Sequence, residues 1–560
     1  MRGWMAVLGA LCIALYVSCQ GGEVKEERES KYVGDSICAS CHAAISKAYA
    51  STWKAHSFQR ITSSLKRLED FQQSPVYDPH RKFYYHARWE GDTLVLYEYR
   101  LQAGDTVYIR RERLDYVIGS GHQTRSYLLF RNGFLYEAPL TWYSLSRKWD
   151  LSPGYAEGHN SRFSREIQPS CLFCHASGWI SIEGTYNQYS QLGHALGCES
   201  CHGPGSQHVA NPKDPAYHWS KWSPQRQMDV CSRCHLEGIA IEKRKGWKPG
   251  DSLAAYWVIF LPERPELGSF GIASHVERLL RSTCFQRAKL TCTTCHDPHP
   301  LSPSPSYDKR CISCHEKGCS SPSHPRTECV KCHMPKGPTS DIPHAQFTDH
   351  YIRVVEKERT HVRSSLKLIC ATEPHPDSIW VGQAYLKWYN ESRRDRELLE
   401  QALSILGRWG PSAALAQALL LKGQPADALP YAEEAIQKDS TLSTMELYCY
   451  LLEMVGALEK ALDGWHKITQ MAPFYPDARF RYTLLAYQLG RITTEEAYQE
   501  LYKLTQIQPW NAQLHYNAAI IAGGLGKLEL TKKHLEHALA YEPDYELARQ
   551  AWNRLSTKSP

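Results

Sequence analysis

Seven times in this sequence a Cys-x-x-Cys pair is followed at once by His, and no such pair lacks that His. The motifs are Cys38-Cys41-His42, Cys171-Cys174-His175, Cys198-Cys201-His202, Cys231-Cys234-His235, Cys292-Cys295-His296, Cys311-Cys314-His315 and Cys329-Cys332-His333. Two cysteines three positions apart can reach the two vinyl groups on one edge of a porphyrin as thioethers. The next residue's imidazole then lies over the iron. The pattern therefore predicts seven covalently attached haem c groups, with the seven motif histidines as proximal ligands. Zinc sites also use paired cysteines but do not require His at the next position every time. Dithiol redox motifs are single and open a helix after a strand.

What occupies the sixth position on each iron decides its chemistry. Thirteen histidines outside the motifs lie between His56 and His350, against only Met228 and Met334 in that stretch. Met334 directly follows His333 and is too constrained to cap the same iron. Mostly bis-His iron of low potential is the expectation. The distal candidates are His56, His122, His208, His275, His299, His344 and His350, each with a packing or surface role as its competitor. His208 follows Cys201-His202-Gly-Pro-Gly, where glycines let the backbone turn close to a porphyrin. His80, His86, His159, His194, His218 and His324 rank lower.

The elements that must position these groups are unevenly spread. Residues 32–70 carry the first motif, and within 71–150 residues 82–145 alternate aromatic and polar side chains between turn pairs Gly91-Asp92, Gly104-Asp105 and Asn132-Gly133. That reads as an antiparallel β insertion that wraps or shields the first haems. Residues 151–357 hold six motifs with Pro- and Ser-rich connectors and little periodic apolar sequence. Short helices around a core made of porphyrin follow from that. Residues 358–409 read as a linker with leading helices. From 410 to 560 a recurring Gly, Ala, Pro pattern appears: Gly423, Ala428, Ala435; Gly456, Ala461, Pro473; Gly490, Ala497, Pro509; Gly526, Ala538, Pro543. Its period of about 34 residues fits tetratricopeptide repeats, with small residues for close helix approach and Pro to stop the second helix. The fold class expected is mainly α: a haem-cored domain with a β insertion, then an α-solenoid.

Arg2 and the apolar run from Trp4 to Val17 read as an export signal over residues 1–18, too short to span a bilayer. Cys19 after Ser18 reads as a lipoprotein processing and lipidation site, with residues 19–31 as a tether. Cys12, Cys19, Cys284, Cys319, Cys370 and Cys449 stand outside the motifs. Cys284 and Cys319 could pair as a disulfide in an exported protein or remain buried thiols. The formal charge of +6 does not indicate nucleic acid, because the propionates of seven haems would outweigh it.

The chain resembles the multihaem c-type cytochromes related to the tetrahaem cytochrome of ammonia oxidisers and to hydroxylamine oxidoreductase, in the branch with C-terminal tetratricopeptide repeats. The stretches that carry the resemblance are Ser36-Ile-Cys-Ala-Ser-Cys-His with Trp53 and His56 downstream, Cys198-Glu-Ser-Cys-His-Gly-Pro-Gly-Ser-Gln-His, Leu290-Thr-Cys-Thr-Thr-Cys-His-Asp-Pro-His, and Cys329-Val-Lys-Cys-His-Met-Pro-Lys leading to Thr348-Asp-His-Tyr-Ile. The resemblance implies closely packed haems and electron transfer, and leaves the substrate open. The function expected is a periplasmic or cell-surface electron carrier of seven haems. Redox partners would dock on the repeats, and a lipid would hold the protein to a bacterial membrane. The alternative is an oxidoreductase acting on a small nitrogen or sulfur compound at a haem with an open sixth site. No catalytic residue is assigned, and the absence of Cys-x-x-Cys-Lys argues against a Lys-ligated nitrite-reductase haem.

Overall fold

A computed structural model describes residues 30–73, 75–183, 185–214, 218–263, 271–301, 306–316, 328–354, 366–391 and 395–556. The expected signal, the Cys19 lipidation site, Cys319 and His324 lie outside the described residues.

Each motif folds as a helical turn, because cysteines at i and i+3 share one face of a helix. The motif helices are Asp35–Cys41, Pro169–His175, Glu199–His202, Pro224–His235, Cys292–Cys295, Tyr307–Ile312 and Cys329–His333. Where the histidine follows the helix or ends it, its amide donates to the first cysteine's carbonyl: His42 to Cys38 at 2.8 Å, His202 to Cys198 at 3.1 Å, His296 to Cys292 at 2.9 Å and His315 to Cys311 at 2.9 Å. That bond sets the imidazole beside its two thiols.

Between the first two motifs lie two antiparallel sheets. One runs Val76–Asp78, Phe83–Glu90, Thr93–Gln102 and Asp105–Arg113 in order; the other joins Phe58–Arg60, Tyr116–Ile118, Thr124–Arg131, Phe134–Tyr143 and Arg165–Glu166, with Lys148–Leu151 on Phe134–Tyr143. Alternate residues Phe83, Tyr85 and Ala87 of the first sheet meet Leu129, Leu140 and Trp142 of the second in one buried core, as the two-residue period of a half-buried strand demands. Arg131 pairs with Phe134 across Asn132-Gly133, whose φ values of 53° and 85° give the tight hairpin turn expected there. The turn expected at Gly104-Asp105 falls one residue earlier. Gln102 pairs with Asp105, so Ala103 and Gly104 take φ of 50° and 95°. The β structure also reaches beyond residues 71–150, through Phe58–Arg60 and Arg165–Glu166. Strands this short carry too little alternation to be read from sequence.

The six-motif stretch has no single apolar core. Its apolar side chains form small separate clusters, Met228 with Val276 and Leu279, Trp247 with Leu253 and Ile259, and Ile239, Ile241, Val258 and Phe260 with Ala384 of the first long helix.

After the leading helices Ser378–Glu391 and Arg396–Trp409, four helical hairpins follow: Ser412–Leu421 with Pro425–Lys438, Leu442–Met454 with Leu458–Met471, Pro476–Gln488 with Thr494–Ile507, and Ala512–Gly524 with Leu528–Tyr541. Glu546–Ser556 caps the array. Ala428, Ala461, Ala497 and Ala538 are buried at the hairpin contacts, where a larger side chain would push the paired helices apart. The glycines do something different from the close approach expected of them. Gly423, Gly456, Gly490 and Gly526 have φ from 66° to 85°, and a Cβ at any of them would meet nothing within 4 Å. Each sits at the left-handed end of a first helix. The following amide bonds back five residues, Gln424 to Leu419 at 2.9 Å, Ala457 to Leu452 at 2.8 Å, Arg491 to Ala486 at 2.8 Å and Lys527 to Ala522 at 3.0 Å, a Schellman end that favours glycine. The helical array packs along the sheets: Arg81 pairs with Glu542 at 3.0 Å, and Tyr136 meets Trp510 edge-on at 5.0 Å. No helix among the described residues is long and apolar enough to cross a membrane.

Candidate haem centres

The motifs touch one another out of sequence order. The thiols of Cys38 and Cys198 are close neighbours, as are those of Cys174 and Cys234 and of Cys231 and Cys292. Motif three thus lies on motif one, and motif four on motifs two and five. Motif four also neighbours motif three, because the Cys201 thiol, pushed up to about 11 mainly by burial, next feels the thiol of Cys231. Cys311 of motif six lies near Cys329 of motif seven and Cys295 of motif five. All seven form one connected cluster.

Side chains inside the motifs build these contacts. Glu199, between the cysteines of motif three, accepts from the amides of Val33 at 2.9 Å, Gly34 at 2.8 Å and Gly205 at 2.7 Å; in return Asp35, at the start of the first motif helix, accepts from the Cys198 amide at 2.9 Å. Arg233, between the cysteines of motif four, donates to the Ser200 carbonyl of motif three at 3.1 Å and to the Phe173 carbonyl of motif two, stacking over the Phe173 ring at 4.1 Å. For Glu199 and Arg233 the available signal in the sequence is a charge at an x position of a half-buried motif; Asp35, which precedes its motif, carries no such signal. Glu199→Ala leaves three amides without their acceptor, and the expected loss is about 1–3 kcal/mol of stability. Guanidinium unfolding followed by haem absorbance measures it, and Glu199→Gln should lose less because one acceptor oxygen remains.

The imidazoles provide a test of whether these residues fit haem. A nitrogen lies about 1.1 Å from its own imidazole centre and about 2 Å from a first-row metal it binds, so two rings in trans across one metal have centres about 6.2 Å apart. Three pairs match. His42 and His208 are 6.1 Å apart with planes at 19°, His202 and His299 are 5.9 Å apart at 22°, and His296 and His350 are 6.1 Å apart at 22°. Each joins a motif histidine to a distal candidate far along the chain or in another motif's flank. Burial lowers His202 to about 4, helped by His299, His42 and His208, so the first two pairs are neighbours.

Other candidates lie elsewhere. His275 meets His235 and His350 edge-on, both at 4.7 Å, with Nδ1 of His235 and Nδ1 of His275 3.3 Å apart. His56 contacts Gln59, and His122 packs on Trp53 at 5.2 Å. His344 contacts Asp150 through Nε2 at 2.8 Å, facing the sheet. Nδ1 of His333 lies 2.9 Å from the Arg353 carbonyl, a contact that leaves the opposite nitrogen as the one that could hold a metal. His175 and His315 make no ring contact with another imidazole among the described residues. Met228 is buried, 3.7 Å from the Cys292 thiol. Cys284 is half-buried, and its suggested partner Cys319 lies outside the described residues.

A family model described as cytochrome c554 and c-prime matches residues 146–203, which hold motifs two and three. The multiheme cytochrome MtrA of Shewanella baltica (strain OS185) is 27% identical over 200 residues, covering 30% of this chain and 56% of that protein. The chain thus spans little more than half the length of this curated relative. Among solved structures, the tetratricopeptide-repeat protein YrrB overlaps 31% of this chain and 90% of its own at 20% identity and a TM-score of 0.26. A MamA fragment from Desulfovibrio magneticus RS-1 overlaps 26% and 82% at 18% identity and a TM-score of 0.25. The family-model match and the relative, set beside the repeated Cys-x-x-Cys-His, support a multihaem c-type cytochrome with covalently bound haem c.

Proposed function

We propose that the chain is an extracytoplasmic heptahaem cytochrome that passes electrons along closely packed, mostly bis-His haems, with the helical repeats docking a redox partner. The observation that carries this reading is the set of three imidazole pairs at the separation of two ligands on one metal, within a cluster in which every motif touches another. When bound, haem supplies a reversible one-electron carrier. The chain's own part is to hold His208, His299 and His350 opposite motif histidines. Glu199, Asp35 and Arg233 fix the spacing between motifs. The remaining finer points belong to the same proposal: kinship with hydroxylamine oxidoreductase, the division at residues 150, 357 and 409, and a lipid at Cys19 after an export signal over residues 1–18. The test is intact mass together with electron paramagnetic resonance of the oxidised full chain. Seven covalent haems with predominantly low-spin signals are expected. A smaller number, or a high-spin majority, would overturn the reading.

A second reading, an oxidoreductase of small nitrogen or sulfur compounds, is favoured by one observation. His175 is half-buried, its imidazole lowered to about 4 by desolvation, and no second imidazole touches it among the described residues. Ligation at motif two would then leave a face for substrate. A high-spin signal in the unaltered protein that shifts on adding cyanide supports it, and wholly low-spin iron excludes it.

A further inference from the structure

The fourth motif lacks the arrangement seen at motifs one, three and five. Its imidazole neighbour, His275, approaches Nδ1 of His235 at 3.3 Å, whereas a motif histidine binds its iron through Nε2, on the other side of the ring. At Nε2 of His235 stands the side-chain nitrogen of Lys54, 3.1 Å away. Two nitrogens in trans across one metal lie about 4 Å apart, so a retreat of about 1 Å by a flexible four-carbon side chain makes the two a ligand pair. We propose that Lys54 is the sixth ligand of the motif-four haem, opposite His235. The inference rests on the reading of the motifs as haem attachment sites.

The backbone around Lys54 is built to hold it there. Lys54 lies in the short 3-10 helix Trp53–His56, which leads directly into strand Phe58–Arg60, paired with Tyr116–Ile118. Between helix and strand, buried Ser57 donates from Oγ to the His175 carbonyl of motif two at 2.7 Å and accepts from the Leu196 amide at 3.3 Å. The sheet and motif two thus fix the root of the exposed side chain while its tip reaches Nε2 of His235. There the Lys54 nitrogen is an electrostatic neighbour of Cys201, Cys231, Cys234 and Cys292, thiols of motifs three, four and five. His56, on the same turn, points its Nδ1 to Gln59 at 2.6 Å. Ligation uses the lone pair of the free amine, so the ammonium releases one proton to solvent as the bond forms, and the iron keeps its oxidation state.

The experiment compares Lys54→Ala, Lys54→Arg, His56→Ala and His275→Ala in the full chain. Peptide mass spectrometry over Cys231–His235 first establishes that haem is attached at motif four in each; its absence from the unaltered protein would overturn the motif reading, and this inference with it. With haem attached, both Lys54 variants are expected to gain a high-spin resonance integrating to one haem beyond the parent spectrum, since Arg keeps the charge but cannot ligate. Imidazole added to Lys54→Ala should return that iron to low spin. A Lys54 variant with the parent spectrum, or the same gain in His56→Ala with none in Lys54→Ala, would overturn the assignment.

Discussion

Replacing His299 with alanine is expected to turn one low-spin haem of the oxidised protein high-spin while leaving the covalent haem count unchanged. The attachment cysteines and the proximal His202 remain, so only the far side of one iron is opened. The same single-haem gain is expected for His208→Ala and His350→Ala, because each stands about 6 Å from a motif imidazole with near-parallel planes. His122→Ala and His344→Ala should leave the spectrum as it was: the first imidazole packs on Trp53 and the second on Asp150. Spin integration by electron paramagnetic resonance reads all five variants on one scale. Exchange of the two groups, with His122 or His344 giving the gain and His299 none, would refute the pairing. Loss of a strong imidazole ligand also raises the potential of the affected iron, so voltammetry should show one wave moving upward in each of the first three variants.

The attachment turns were legible in the sequence because they are local: three-residue cysteine spacing and an adjacent histidine need no tertiary information. The same holds for the helical hairpins, whose period and buried alanines stand in plain sequence. The role of Gly423 and its three counterparts was misread, since composition shows a small residue but not whether space or φ demands it. Distal pairing was beyond sequence for a different reason. His208 is six residues from His202 yet faces His42, and His299 is three residues from His296 yet faces His202. A histidine near its own motif faces another motif's imidazole, so proximity in sequence misleads. Lys54 was invisible for a chemical reason: an inventory limited to His and Met never asks about an amine. The contacts of Glu199 and Arg233 depend on motif three meeting motifs one and four, which only the folded chain determines.

Arg162→Met is expected to destabilise the β sheets by about 3–5 kcal/mol at neutral pH, because it strips a buried carboxylate of its counter-charge. Glu98 is fully buried, receiving Nε of Arg162 at 2.8 Å, a second close contact from the same guanidinium, Tyr85 Oη at 2.9 Å and Tyr108 Oη at 3.1 Å. Burial by itself would raise the Glu98 carboxyl; the charge and hydrogen bonds of Arg162, joined by the charge of Arg110 and the Tyr85 hydroxyl, together outweigh it and hold the group below its ordinary value. A carboxyl lowered in the fold contributes stability that is complete above its unfolded value and lost as pH falls through the folded one. Without Arg162 the sign reverses, since burial now raises the folded value, and protonation relieves the strain. The gap between parent and variant should therefore be wide at about pH 7.5 and shrink toward about pH 4.5, which thermal unfolding at the two values measures. A gap independent of pH would mean that Arg162 acts through its packing on Phe83, 4.5 Å from the guanidinium, and not through charge. Since these sheets anchor Phe58–Arg60, the variant also separates support from ligation: below its unfolding transition it should keep the parent spin states, whereas Lys54→Ala changes them in a fold of parent stability.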